Sequence, residues 1–427
     1  MKSIETHVRN FLDLSRGHRE SAEEVLHVLA LLVLIKKNDK HQYLDLFKSA
    51  PNQQRDKFKE LVNELKKREI VGKLEITALN LFNDGLFSKA IYLINDVAEA
   101  DFSTFSVCIR NVLLEIESYQ NNSISTNTVA DLFSKLVGDV SSETIIYDGA
   151  AGYANIVSKI EQAKFQVEEI NEPVAELSKI LLLLQDKEVT FKVTNSLFNP
   201  SFIKTNKKAD IAVMTPPMRI RFSAEERSML TNKGYIVVHS DKPVPTSASD
   251  TLWVQQALAN VNDKGKVMIL LPQGWLFRGG YDAKVREYLL NNDWVESVIH
   301  LPSRILKNVM LAPVLVILNK NKEVPGEVKF IDATAFAQKD GRNVSISPDN
   351  IQLIAELVQG KHPEHKAYQS VLLPDVIKNN GTLNVGHYIK QESTWTPPDL
   401  GQEMIKLGNC MTDFDVAQKK LTKLLSE

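Results

Sequence analysis

Along residues 1–120, apolar positions recur at helical spacing and short continuous apolar runs are few. Between Gln53 and Arg68, Phe58, Leu61, Val62 and Leu65 fall on one face, with Arg55, Lys57, Lys66, Lys67 and Arg68 around them. Such a basic surround reads as a solvated helix face before it reads as a grip on phosphate. Val25 to Ile35, the most apolar run, is about half of the ~20 residues a membrane-spanning helix needs, so it predicts a core helix that also carries His27. Asn121-Asn122-Ser123 is a polar break. Beyond it the pattern changes. Thr144–Tyr147, Phe165–Val167, Asp210–Met214, Lys266–Leu271, Val295–Ile299 and Val314–Leu318 are short apolar runs of strand length. Helix-length segments at Val129–Val137, Pro173–Leu184, Asp250–Ala259 and Lys284–Asn291 alternate with them. This alternation predicts an α/β domain with a doubly wound, mainly parallel sheet and helices on both faces. The expected organisation is a helical N-terminal domain over 1–120, the α/β domain over 121–335, and a C-terminal extension over 336–427. The extension ends in a helix from about Asp413 to Leu425, with Val416, Leu421, Leu424 and Leu425 at helical spacing.

The chain has 427 residues and a formal net charge of -2, ordinary for a globular protein and unlike one that coats itself in nucleic acid. Any grip on nucleic acid must come from a local patch or a partner. The 2 cysteines, Cys108 and Cys410, exclude a disulfide scaffold and a cysteine-rich zinc site. Met1 to Arg16 mixes charges and lacks the apolar core of a signal peptide, so the cytoplasm is the expected compartment, with no membrane contact. His362 and His365 have no further ligand nearby and read as a solvated loop; no metal site is expected.

In an open parallel sheet, ligands sit beyond the carboxyl ends of the strands. After the first strand comes Asp148-Gly149-Ala150-Ala151-Gly152-Tyr153, with a helix starting near Asn155. Small residues let the backbone approach a ligand, and the helix start offers free N–H groups. Glu169, about twenty residues beyond Asp148, follows the second strand and suits a ribose diol. Together these read as an adenosine-cofactor site, though a small-residue turn and an exposed glutamate also suit simple packing. The spacing G-x-G-x-x-G of a nicotinamide site is missing. After the strand Asp210–Met214 stands Thr215-Pro216-Pro217-Met218. Successive prolines fix the backbone and leave carbonyls free, so a polar side chain and a carbonyl side by side suit an exocyclic amino group. A second Thr396-Pro397-Pro398 follows no strand and reads as a loop. Arg219 and Arg221, next to the acceptor motif, suit phosphate contacts or plain solvation.

The order of these pieces resembles the N6-adenine DNA methyltransferases, and among them the modification subunit of type I restriction–modification systems. Further tags carry the resemblance: Asn195-Ser196-Leu197-Phe198, Leu271-Pro272-Gln273-Gly274-Trp275-Leu276-Phe277-Arg278-Gly279-Gly280, Val298-Ile299-His300-Leu301-Pro302 and Leu383-Asn384-Val385-Gly386-His387-Tyr388. The resemblance covers most of residues 120–390. It implies S-adenosylmethionine as methyl donor, no metal, and adenine N6 in DNA as acceptor, with the base flipped out of the duplex. It further implies specificity and restriction subunits as partners, a terminal helix that contacts the specificity subunit, and possible homo-oligomers. Carried over by position, Ser125 and Thr126 help cover the cofactor, and Asp148, Gly149, Ala150 and Gly152 wrap its methionine part. Glu169 binds the ribose, and the Asn195 amide oxygen accepts from the amino group of the cofactor's adenine. Thr215, Pro216, Pro217 and Met218 form the acceptor site.

The chain departs from the family pattern in both loops. The closing glycine pair of the cofactor loop is replaced by Ala154-Asn155, and Tyr153 is bulky where the cofactor passes. Thr215 stands where the family has Asn or Asp, and Met218 where it has Tyr or Phe, so an aromatic platform worth ~1–3 kcal/mol is missing there. Two readings follow: a divergent adenine methyltransferase, or a methyltransferase-fold protein without activity that serves as a DNA-associated or assembly subunit.

Overall fold

The computed structural model describes residues 2–15, 22–72, 83–117, 126–239, 242–306, 310–341, 343–389 and 399–426. Ser125 and Thr396-Pro397-Pro398 lie outside the described residues.

The N-terminal part is helical: α1 (Lys2–Ser15), α2 (Ala22–Asn38), α3 (Lys40–Lys48), α4 (Pro51–Lys67), α5 (Asp84–Asn95) and α6 (Phe102–Glu117). Its centre is α2, where every residue from Val25 to Ile35 except His27 is buried. Burial also pushes the His27 imidazole down to about 4, so it is neutral at pH 7. α4 buries Phe58, Val62 and Leu65, as its periodicity predicts, and leaves the basic positions around them outward or at the edge. Ser49 and Asp39 show why the segment breaks into short helices: Asp39 caps α3 by accepting from the Gln42 N–H, and Pro51 opens α4.

The sheet follows: α7 (Asn127–Val137), β1 (Ile145–Asp148), α8 (Asn155–Lys159), β2 (Lys164–Glu169), α9 (Glu172–Leu184), β3 (Glu188–Val193), β4 (Ala209–Met214), α10 (Ala224–Thr231), α11 (Ser249–Asn260), β5 (Val261–Pro272), α12 (Tyr281–Asn291), β6 (Val295–His300), β7 (Pro313–Asn319) and β8 (Glu327–Asp332). A hairpin of β9 (Ala337–Asp340) and β10 (Asn343–Ile346) leads into α13 (Pro348–Val358), then β11 (Tyr368–Leu372), α14 (Leu373–Lys378) and α15 (Val385–Tyr388). The described residues form a nine-stranded sheet of order β11-β8-β6-β7-β5-β4-β1-β2-β3. β7 runs antiparallel to both β5 and β6, and β11 antiparallel to β8; the remaining pairs are parallel. The doubly wound, mainly parallel sheet read from the sequence is the architecture found.

Strand side chains alternate between two cores. Tyr147, Ala212, Met214, Val267, Ile269 and Leu271 face one apolar cluster. Ile146, Val213, Met268 and Leu270 face the other. The N-terminal helices pack onto α9, whose Leu177, Ile180, Leu181 and Leu184 join their core. Ser106 Oγ donates to the Leu181 carbonyl at 2.6 Å, and the buried Arg110 Nε donates to the Tyr153 carbonyl at 2.9 Å. By contact density, Met1–Ile389 forms one compact unit and Lys390–Glu427 a second. The second carries α16 (Leu400–Ser426), which begins well before the helix predicted from its apolar spacing. Leu400, Met404, Leu407, Met411, Phe414, Leu421 and Leu425 lie along it at alternating steps of four and three, interrupted once by Gln418, and all seven are exposed. Among the described residues, no helix is long and apolar enough to cross a membrane.

Candidate functional site

The strand order reverses at β1, which has β2 on one side and β4 on the other. The crevice at such a reversal is where ligands sit in open α/β sheets. Here it holds a cavity of about 470 Å³, lined by the loop after β1, the ends of β2 and β3, the loop after β4, and α11. That lies within the roughly 300–1,000 Å³ of small-molecule sites.

The loop after β1 is held from below by a buried network. Tyr147 Oη donates to Glu168 Oε2 at 2.5 Å, Gln256 Nε2 donates to Tyr147 Oη, and the Ser201 N–H donates to Glu168 Oε1 at 2.6 Å. Glu168 is completely buried. A Cβ on Gly149 would stand 2.3 Å from Tyr147 Oη, so only glycine lets the backbone pass over that ring. Ser196 Oγ donates to the Gly149 carbonyl, tying this loop to the one after β3. Gly152 takes a φ of 53° and Ala154 a φ of 51°. The left-handed conformation costs a non-glycine residue roughly 1–2 kcal/mol, so Ala154 keeps the glycine backbone its loop requires at a cost in strain.

Gly149, Ala150, Gly152, Glu169 and Asn195 line the cavity, with Tyr153 and Asn155 beside them. The Tyr153 side chain also belongs to the core of the N-terminal helices. Glu169 accepts from the Gly152 N–H at 2.8 Å with one oxygen and from the Asn171 N–H at 2.9 Å with the other. Each carboxylate oxygen keeps a second lone pair for a hydroxyl. Asn195 Oδ1 accepts from the Leu197 N–H at 3.1 Å and the Phe198 N–H at 3.3 Å. The oxygen is thus spent on its own turn, and the group left for a ligand is the amide NH2, a donor where the sequence predicted an acceptor. Thr126 caps α7, and its Oγ1 donates to the Ile305 carbonyl at 3.0 Å; it does not line the cavity.

Asp148 ends β1, buried, with Oδ1 accepting from the Ala150 N–H at 3.2 Å. Burial, opposed by that hydrogen bond and aided by the Glu169 charge, pushes its carboxyl up to about 7. Folding therefore takes up a proton between the ordinary aspartate range and pH 7, and this group's cost to stability grows as pH rises through that window. Asp148→Asn removes the cost. Its thermal midpoint should match wild type near pH 4 and rise progressively above it up to about pH 8; parallel melting curves across pH check this, and a constant offset would refute the assignment.

The acceptor loop differs from its sequence reading. Thr215 and Pro217 line the cavity, and Pro216 is buried. Met218 does not join them: it packs against the cluster on the other side of the sheet, with Val213 and Met268. The aromatic surface comes from elsewhere. Phe198, Phe222 and Trp253 line the cavity, and Phe198 meets Phe222 edge to face with ring centroids 6.3 Å apart. Sequence reading placed the missing platform at Met218 because it followed the motif register. Phe222, four residues on, carried no motif signal, although its place after the two prolines was visible.

A sequence model for N-6 DNA methylases matches residues 125–396, nearly two thirds of the chain. The chain belongs to the N-6 DNA methylase family. Among curated relatives of this methylase, the type I restriction enzyme MjaVIII methylase subunit of Methanocaldococcus jannaschii is 27% identical over 374 residues, 81% of this chain and 62% of the relative. The MpnII methylase subunit of Mycoplasma pneumoniae is 24% identical over 286 residues, 62% of this chain and 52% of the relative. The chain thus spans less than two thirds of the length of either. In fold it is similar to a type I restriction–modification methyltransferase subunit from Streptococcus thermophilus, with a TM-score of 0.73, 15% identity, and coverage of 91% of this chain and 99% of that one. It is also similar to a chain from a type I restriction–modification system studied for complex assembly and conformational transition, with a TM-score of 0.68, 15% identity and coverage of 99% and 98%. Phe198, Phe222 and Trp253 thus give this cavity an aromatic lining at positions other than the one the motif register marks.

Proposed function

We propose that the chain is the modification subunit of a type I restriction–modification system and methylates adenine N6 in DNA, using S-adenosylmethionine. The observation that carries this reading is the cavity that the loop after β1, Glu169, Asn195 and Thr215 line together with three aromatic residues. A cofactor fits the residues present: the Gly149 backbone is held close over Tyr147, and Glu169 keeps lone pairs toward the crevice. Gly149, Ala150 and Gly152 would follow its methionine part and Glu169 would hold the ribose hydroxyls.

The bound cofactor supplies an electrophilic methyl group on a positively charged sulfur. The protein's task is to orient the acceptor amine and offset the charge that develops on it. Thr215 Oγ1 and the Pro216 carbonyl accept the two amino hydrogens, which turns the nitrogen lone pair toward the methyl carbon. The Asn195 amide would donate to a ring nitrogen of the cofactor's adenine. Phe198, Phe222 and Trp253 surround the base and exclude water. The amino nitrogen would give up one of its two protons along the hydrogen bonds to Thr215 Oγ1 and the Pro216 carbonyl as it takes the methyl group. The exposed apolar stripe of α16 is the surface we assign to a specificity partner.

Incubation of the chain, assembled with its specificity subunit, with duplex DNA and methyl-labelled cofactor should place label on adenine N6, read by mass spectrometry of digested nucleosides. Thr215→Val should lower kcat roughly ten-fold with cofactor affinity unchanged, since it removes one hydrogen bond made to the nucleophile. Thr215→Asn should raise kcat, whereas Met218→Phe should not, because that side chain packs away from the cavity. Cofactor binding without any transfer to DNA would instead favour a non-catalytic assembly subunit.

A further inference from the structure

The loop after β4 does not stand alone at its edge of the sheet. β5, its parallel neighbour, pairs Ile269 with Met214 and runs on to Pro272 before a single 3-10 turn, Gln273–Leu276. Phe277 follows that turn and is 53% exposed, between the fully buried Trp275 and Leu276 and the half-buried Arg278. Pro272 pairs with Pro313 of β7, so the chain entering β7 reaches the same edge, and there Met310 and Leu311 are 73% and 50% exposed. Exposed Arg219 and Arg221 come from the adjoining acceptor loop. The carboxyl edge of β4 and β5 therefore carries three uncovered apolar side chains and two exposed arginines, and from the same edge Thr215, Pro217 and Arg221 line the cavity.

An isolated exposed phenylalanine needs no explanation, but this one is braced. Arg278 Nη2 reaches Asp250 Oδ2 at 2.5 Å and its Nε lies 2.9 Å from Asp282 Oδ2. Asp282 in turn accepts from Thr251 Oγ1 at 2.5 Å, and Trp275 Nε1 donates to that hydroxyl at 2.9 Å. Arg286 donates to the carbonyls of Trp275 and Arg278 at 2.5 and 2.7 Å. The other oxygen of the buried Asp250 accepts from the Arg219 N–H at 3.2 Å, at a residue held at a φ of 59°. A single carboxylate thus locks the turn that presents Phe277 to the loop that presents Thr215.

We infer that Phe277 is the wedge that enters the base stack when the target adenine leaves it, with Met310 and Leu311 as the apolar rim along which the opened duplex rests. This rests on the adenine methyltransferase reading above. Extruding a base leaves a gap between its neighbours, and an aromatic side chain in that gap recovers stacking; the brace through Asp250 fixes its distance from the acceptor loop. Rigid presentation matters because a mobile side chain would lose rotamer freedom on insertion.

The test compares two DNAs, one with the target adenine paired to thymine and one with it opposite an abasic site, using the chain assembled with its specificity subunit. Phe277→Ala should lose roughly ten-fold or more in kcat/KM on the paired duplex and stay within about two-fold of wild type on the unpaired adenine, as expected when a stacking contact serves only extrusion. Phe277→Trp should keep wild-type rates on both, and cofactor affinity should be unchanged throughout. An equal loss on both DNAs, or no loss on the paired one, would overturn the wedge while leaving the methyltransferase reading intact. A wild-type assembly that methylates neither DNA would overturn that reading and the wedge with it.

Discussion

Replacing Glu169 by alanine is expected to weaken S-adenosylmethionine binding by at least about 100-fold, because hydrogen bonds to a charged group are worth about 1.5–3 kcal/mol each and the ribose offers two hydroxyls. The substitution also frees the Gly152 and Asn171 N–H groups, which Glu169 now holds at 2.8 and 2.9 Å. Both lie at the surface of the crevice, where water can replace the carboxylate, so the fold should lose only about 1 kcal/mol. Calorimetric titration with the cofactor and with its demethylated product reads the first effect and urea unfolding the second. Affinity within about three-fold of wild type would remove Glu169 from the site.

Replacing its neighbour, Glu168, should do the reverse. That carboxylate is completely buried and takes the Tyr147 hydroxyl at 2.5 Å and the Ser201 N–H at 2.6 Å. Glu168→Ala leaves both donors without an acceptor in a place water does not reach, at a cost of about 3–5 kcal/mol. Burial is the largest cause of the raised Tyr147 phenol and persists without the Glu168 charge, so the ring cannot relieve the loss by ionising. Urea unfolding should show a markedly lower midpoint. The cofactor loop should loosen too, since Gly149 passes over the freed ring. A midpoint unchanged from wild type would mean that the network carries no stability. Two adjacent glutamates thus have opposite expected signatures, affinity for one and stability for the other, because successive strand residues point to opposite faces.

The clamp through Asp250 and the pH response of Asp148 both involve a buried carboxylate beside the crevice. In each, a carboxylate is buried at the end of the elements that frame the crevice. Asp250 has Arg278 and a backbone N–H to offset its desolvation, and Asp148 has one backbone N–H alone. At Asp148 burial pushes the carboxyl up to about 7.

How much was legible beforehand follows from what each element buries. Strands buried on both faces, such as β5 and β7, announce themselves as continuous apolar runs. β3 and β11 escaped notice because they are edge strands with mixed polar sequences, Glu188–Val193 and Tyr368–Leu372, stabilised by pairing more than by burial. The helix over 400–426 was read only in its last half, since Gly401, Gly408 and Thr412 dilute its first turns.

The sequence by itself determined the α/β class, the central strands, the helical N-terminal region and the family, because these depend on local periodicity and on the order of short motifs. It also named most of the residues around the crevice, since a residue that follows a parallel strand reaches the carboxyl edge whatever else the chain does. Tertiary structure alone decided which of them face one another. It turned Met218 toward the far core, set Phe198, Phe222 and Trp253 around the cavity, and drew Tyr153 into the helices. It spent the Asn195 oxygen on its own turn and joined Arg278 to the acceptor loop through Asp250. Those outcomes depend on side-chain direction and on contacts between segments far apart in the chain, which no local pattern encodes.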